Sequence, residues 1–124
     1  ANLFVAQFIG SPKMNVVPCQ TEGKRYMLTG AKPQPYAQDR PAKHLGIRPE
    51  HIELDKPGTG VLDGTVDVVE YLGADCFVIL DCAGLGQLTV RVSGETKLKP
   101  GEAVGIKMPK NRLHFFDEDG LAIR

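Results

Sequence analysis

The sequence predicts an all-β fold: a small antiparallel barrel or sandwich with one short helix at its front. Three observations carry this. Apolar residues alternate with polar ones over many short stretches, the period-2 pattern of half-buried strands. Turn-forming clusters rich in the chain's 14 glycines and 9 prolines separate those stretches. Helical spacing of apolar residues is confined to residues 2–10. A run of short strands broken by turns favours a barrel or sandwich over any α/β arrangement.

The elements follow in order. Asn2 can cap a helix over residues 2–10, where Phe4/Phe8 and Val5/Ile9 are i,i+4 neighbours. Gly10 can end it, with Pro12 just beyond. So short a helix is marginal alone and needs a surface to pack on. Met14–Cys19 reads as a strand, Thr21–Lys24 as a turn, and Arg25–Thr29 as the returning arm of a hairpin. Residues 30–43 hold Gly30, Pro33, Pro35 and Pro41, which limits them to a loop or a weak edge strand.

Leu45 to Leu54 reads as strand, sharp turn, strand. Leu45 and Ile47 alternate with Gly46 and Arg48. Pro49 fixes its own φ and pushes Arg48 out of the helical region. Arg48 and Glu50 flank the proline, so opposite charges sit at one bend and are expected to form a surface ion pair. Asp55–Gly60 is a turn cluster. Leu62–Leu72 alternates, with Gly64, Val66 and Val68 expected on one face. Gly73-Ala74 turns the chain into Cys76–Leu80, and Ala83–Gly86 is a tight connection. Leu88, Val90 and Val92 are expected to face inward. Pro100-Gly101 suits a type II turn. Val104, Ile106 and Met108 form the next strand. Leu113–Phe116 and Leu121–Ile123 pair across Asp117–Gly120.

Composition narrows the function. Fifteen basic residues balance fifteen acidic ones, which disfavours nucleic-acid binding. The apolar share of 42% is ordinary for a globular chain. No apolar run reaches the roughly 20 residues of a membrane helix. With no signal pattern and no initiator methionine, the chain reads as a piece of a longer cytosolic protein. Cys19, Cys76 and Cys82 fit neither a disulfide framework nor a C-x-x-C zinc pair, so they are expected to be small reduced hydrophobes.

No catalytic motif stands out. The chain has no G-x-x-x-x-G-K-[ST] loop to cradle phosphates. Gly84-Leu85-Gly86 lacks a third glycine and lies between strands, so it is a hairpin turn. Glu50 and His51 would make an acid/base pair on paper, but adjacent strand residues point to opposite faces. His114 reads as the exposed side of an edge strand. Tyr71, Phe77, Phe115 and Phe116 lack interleaved basic residues, so a core role outweighs a base-stacking platform.

LGIRPEHIEL at residues 45–54 resembles the signature of the C-terminal regulatory domain of ATP-binding-cassette importer ATPases. Among that family it resembles the sugar and sn-glycerol-3-phosphate importers of the maltose-importer type. FVAQFIGSPKMN at 4–15 resembles that family's exit from its nucleotide-binding domain. VDVVEYLG at 66–73 resembles its central strand, and NRLHFFD at 111–117 with Gly120 its closing hairpin. Residues 20–44 carry no resemblance.

The resemblance implies an oligonucleotide/oligosaccharide-binding (OB) type barrel of the transport-associated kind over residues 13–124. Residues 1–12 would be a connector helix from an absent nucleotide-binding domain. It implies a regulatory, dimer-supporting module without catalytic residues, cofactor or metal of its own; ATP and Mg would belong to the full-length transport ATPase. Implied partners are a second copy, membrane permease subunits reached through the absent domain, and in some members a cytosolic regulator. The setting is the cytoplasmic face of the inner membrane. Arg48, Glu50 and His51 are the candidate regulatory or interface residues, because they sit in the family motif. Two other readings remain: a free-standing barrel for an oxyanion such as molybdate or a small sugar, and a single-stranded nucleic-acid binder. The Ser-Ala-Arg-Asn-type motif of molybdate modules is not found here.

Overall fold

The computed structural model describes residues 13–123. The expected helix over residues 2–10 lies outside the described residues. Within them the strands are β1 Asn15–Pro18, β2 Gln20–Glu22, β3 Arg25–Met27, β4 Gln34–Pro35, β5 His44–Ile47, β6 Glu53–Asp55, β7 Leu62–Leu72, β8 Asp75–Cys82, β9 Gly86–Ser93, β10 Ala103–Lys107, β11 His114–Phe116 and β12 Ala122–Ile123. Two short 3-10 turns, Pro49–His51 and Lys110–Arg112, join them. The fold is all-β and antiparallel, of the OB type.

Three sheets share one core. A five-stranded sheet runs β6-β10-β7-β8-β9, a four-stranded sheet β1-β5-β11-β12, and a three-stranded sheet β2-β3-β4. Leu45, Ile47, Leu80, Leu88 and Ile106 are fully buried, drawn from both larger sheets. Tyr26, Leu28 and Tyr36 close the same cluster from the β2-β3-β4 side. Burying each large aliphatic side chain is worth about 1.5–3 kcal/mol, which makes this shared core the main stabilising term. Phe115 sits edge-on to Tyr26 and Tyr36, with ring centroids 5.3 and 4.9 Å apart.

Several expectations hold in detail. Glu102 N–H donates to the Lys99 carbonyl and Gly101 has φ 92°, so Pro100-Gly101 is the expected type II turn. Gln34–Pro35 is indeed an edge strand, on β3. The three cysteines are buried and unpaired.

Others are corrected. β1 does not form a hairpin with Arg25–Met27; it pairs with β5, Asn15 opposite Ile47. The hairpin is β2–β3, with Glu22 opposite Arg25 across Gly23-Lys24. The chain leaves the four-stranded sheet at Cys19, so one continuous stretch of chain serves two sheets. Val68 does not share a face with Gly64 and Val66. A β-bulge at Asp67 shifts the register between Val66 and Val68 and turns Val68 outward. Tyr71 is not a core residue, being 57% exposed at the end of β7 with its hydroxyl donating to the Thr96 carbonyl. β11 lies between β5 and β12, so His114 is not on an edge strand.

The closing hairpin depends on Asp117, a buried carboxylate. Its Oδ1 accepts the N–H groups of Asp119 and Leu121 at 2.9 and 3.0 Å, and its Oδ2 pairs with Arg40. The Leu121 N–H, then the Asp119 N–H and the Arg40 guanidinium, hold it below its ordinary 3.8 against the opposing effect of desolvation. A depressed folded pKa contributes stability that is present above the unfolded value and lost as pH falls through the folded one. Asp117→Asn should therefore lower Tm at neutral pH. The gap to the parent should close below about pH 4, where the parent carboxylate protonates. A pH-independent gap in thermal melts would contradict this.

Glycine at 60 and 105 is required by contact. A Cβ on Gly105 would lie 2.3 Å from the Lys56 carbonyl oxygen, and one on Gly60 2.1 Å from that of Ile106. These backbones cannot yield as a flexible side chain would. Gly105→Ala should cost about 1–3 kcal/mol in urea unfolding. A loss under about 0.5 kcal/mol, the size of an ordinary surface substitution, would show that the β6–β10 crossing is looser than described.

Candidate functional site

The family-motif residues lie where the chain passes from one sheet to another. β5 belongs to the four-stranded sheet and β6 to the five-stranded one. Between them Arg48 is extended at φ −74° and ψ 147°, as the following proline requires. Pro49 then starts a single 3-10 turn that closes with His51 N–H donating to the Arg48 carbonyl at 3.0 Å. The Pro49 ring is fully buried.

The turn sorts the three candidate residues differently from the sequence pattern. Glu50 and His51 lie on the 3-10 turn and not on a strand. Glu50 is exposed, while Arg48 and His51 are half-buried. The ion pairs among the described residues are Arg40–Asp117, Arg91–Asp75 and Lys107–Asp55. Arg48 and Glu50 therefore do not form the expected pair: the proline between them starts a turn that leaves Glu50 in solvent. His51 Nδ1 is buried without a hydrogen-bond partner.

His114 joins this group from 63 positions away in sequence, because β11 pairs with β5 and sets His114 opposite Gly46. Partial desolvation first, then the nearby Arg48 and His51, depress its pKa below the ordinary 6.5. The structure thus brings Arg48, His51 and His114 together and leaves Glu50 apart. No local pattern marks His114 as a member; only the β5–β11 register does. A guanidinium with two imidazoles, making no ion pair among the described residues, suits contact with an acidic group on a partner.

Beside the turn lies an open groove of about 820 Å³ between the facing edges β6 and β9. Its floor is apolar, with Ile52, Leu54, Val90, Val92 and Val104, and Lys56 and Arg91 stand on its rim. The thiols take no part. Burial pushes Cys19 up to about 11, partly offset by Lys43, and burial with Asp81 pushes Cys82 up to about 11. Both stay protonated at neutral pH and are poor nucleophiles or ligands. Among the described residues, no three of His, Cys, Asp and Glu gather as a metal site would need.

The sn-glycerol-3-phosphate import ATP-binding protein UgpC of Escherichia coli strain K12 is 37% identical over 94% of this chain. The UgpC proteins of Psychromonas ingrahamii and Cupriavidus metallidurans are 34% and 35% identical over 96% and 94%. The chain spans only about a third of the length of these relatives, 34–35%. Among solved structures, the cytoplasmic molybdate-binding protein ModG, with molybdate bound, is similar over 86% of this chain and 96% of its own. Its TM-score is 0.60 at 16% identity, a likeness of fold alone. The family described as "TOBE domain" matches residues 45–116, from the first buried leucine of β5 to the end of β11. That span is more than half of the chain, and the chain belongs to the TOBE-domain family.

Proposed function

We propose that this chain is the C-terminal regulatory domain of the ATP-binding subunit of an importer for sn-glycerol-3-phosphate or a related carbohydrate. The observation that carries the reading is the match to UgpC over 94% of this chain and 35% of the relative. It is a whole module of this chain and a minor part of the ATPase. Residues 1–12 would connect the module to a nucleotide-binding domain, and residues 13–124 would form the module itself. ATP and Mg would be bound by that other domain. Permease subunits would be reached through it at the cytoplasmic face of the inner membrane.

The domain's own work is then contact, not chemistry. Two copies hold each other as the nucleotide-binding domains close and open. A second contact surface serves a cytosolic regulator, and the cluster of Arg48, His51 and His114 is the place for it. Its guanidinium and imidazoles, set on the β5–β6 joint and on the adjoining β11, favour an acidic surface. A nucleic acid is a poor partner for a chain with no net charge.

The test is functional replacement. An E. coli UgpC lacking its matching third should lose regulated uptake of sn-glycerol-3-phosphate. A chimera carrying this chain there should regain it, while the chain alone hydrolyses no ATP. Hydrolysis by the purified chain, or a folded chimera that never supports uptake, would contradict the proposal. A second reading rests on the 820 Å³ groove, which suits a small ligand in a free-standing barrel. Titration with molybdate and with small sugars separates the two, since the regulatory domain should bind neither.

A further inference from the structure

The five-stranded sheet ends in two edges, β6 and β9, that face each other across the open groove. Every neighbouring pair in the order β6-β10-β7-β8-β9 is antiparallel. β6 and β9 therefore run in the same direction. They cannot close on each other as an antiparallel pair. One more strand, opposed to both, would complete the alternation.

The backbone groups are set for such a strand. Along an antiparallel strand, alternate residues turn both N–H and carbonyl to the same side. The Thr89 N–H and carbonyl bond to the Asn15 side chain, so they point away from β8. Arg91 and Ser93 share that orientation, and among the described residues no strand meets them there. On β10, the Ile106 carbonyl accepts the Val61 N–H, on the side of β7. Gly105 and Lys107 are then the residues that bond to β6, through Asp55 and Glu53. Leu54, opposite Ile106, turns its own N–H and carbonyl to the free edge. The backbone groups of Leu54, Arg91 and Ser93 thus look into one groove. An uncovered strand edge is a template for pairing.

We propose that the groove takes an extended peptide segment of another protein, which enters as a strand antiparallel to both β6 and β9. With Leu54 level with Val92, successive peptide residues bond to Ser93, Leu54 and Arg91 in turn. The residue facing Leu54 drops its side chain onto the floor of Val90, Val92 and Val104, and its neighbours point to solvent. The segment is therefore apolar at alternate positions. A five-residue strand about 17 Å long, ~4.8 Å wide and ~10 Å thick occupies roughly 800 Å³. The groove measures about 820 Å³. An oxyanion accepts from N–H groups only and would leave the carbonyls unmatched. Charge selects further. On the rim, Asp55 is paired with Lys107 and Arg91 with Asp75. Glu53, Glu102 and Lys56 make no ion pair among the described residues, which leaves negative charge in excess. Glu53 is exposed beside Leu54 and level with Arg91. The outward peptide residue between them should be lysine or arginine. This contact does not use Arg48, His51 or His114 and goes beyond the regulator contact proposed above.

The capped pentapeptide acetyl-Val-Thr-Val-Lys-Val-amide tests it. NMR titration of the full 124-residue chain with peptide up to about 5 mM should show saturable binding, with Kd about 0.1–1 mM for so small a contact. At about ten times Kd, hydrogen exchange of the Leu54, Arg91 and Ser93 amides should slow about tenfold. The Val90 and Val92 amides, already bonded to β8, should not change. A peptide N-methylated at its lysine loses the N–H that meets the Arg91 carbonyl and should bind about tenfold more weakly. Glutamate in place of that lysine should weaken binding about threefold, and Glu53→Lys, at an exposed position, should reverse this order. Unchanged exchange of the three edge amides, or an N-methylated peptide that binds as well as the parent, would overturn the proposal. So would slow exchange of those amides in the free chain. Protection that grows with protein concentration would mean that a second copy fills the gap, and protection independent of concentration that residues 1–12 do.

Discussion

The burial of one proline ring holds the two larger sheets in register. Pro49 is fully buried at the crossing from β5 to β6; among the described residues the chain crosses between these two sheets once more, at the Lys110–Arg112 turn from β10 to β11. Its ring fixes the entry angle, because the residue before a proline is confined to extended geometry. That keeps Arg48 in line with β5, and the 3-10 turn then redirects the chain by one short step into β6. The turn packs on β9, the far edge of the five-stranded sheet, and so sits between the two edges that flank the groove. The family motif is thus first a structural joint. Its exposed and half-buried side chains acquire a functional meaning because the joint is rigid.

A second tie works from the other end of the chain. The Asn15 side chain accepts from Thr89 N–H and donates to the Thr89 carbonyl, both at 2.8 Å. Its amide copies what a neighbouring strand would do, and so caps part of the β9 edge. Such partly buried bonds contribute about 0.5–1.5 kcal/mol each, less than the core, but they are directional and fix where β1 lies against the barrel. Proline at one joint and asparagine at the other add direction to the shared core that already joins the two sheets.

Local chemistry was legible in the sequence and long-range pairing was not. Pro100-Gly101, Gly73-Ala74 and the strand spans of β7 to β10 follow from φ preferences and period-2 burial, which act within a few residues. The Arg48–Pro49 geometry was legible for the same reason. Val68 was misplaced because a bulge leaves the apolar count of a strand unchanged while reversing its faces. β1 pairs with β5 and not with Arg25–Met27 because an antiparallel pairing distant in sequence, Asn15 with Ile47, leaves no local mark. Tyr26 and Tyr36 take the core positions that Tyr71 and Phe77 were expected to fill, since only tertiary contact with Phe115 shows which aromatic is inside. Two of the three residues in the candidate cluster, Arg48 and His51, were visible through the family motif. His114 needed the β5–β11 register.

The central claim is that the Pro49 joint makes the two larger sheets unfold as one unit. Native-state hydrogen exchange measures this directly, by comparing slow amides of β5 and β11 with those of β7 and β8. In the parent chain both sets should exchange with the same opening free energy. In Pro49→Gly that shared value should fall by about 0.4–1 kcal/mol or more, and the two sets should separate. If the variant keeps the parent's stability and both sets still open together, the joint is not what holds the sheets.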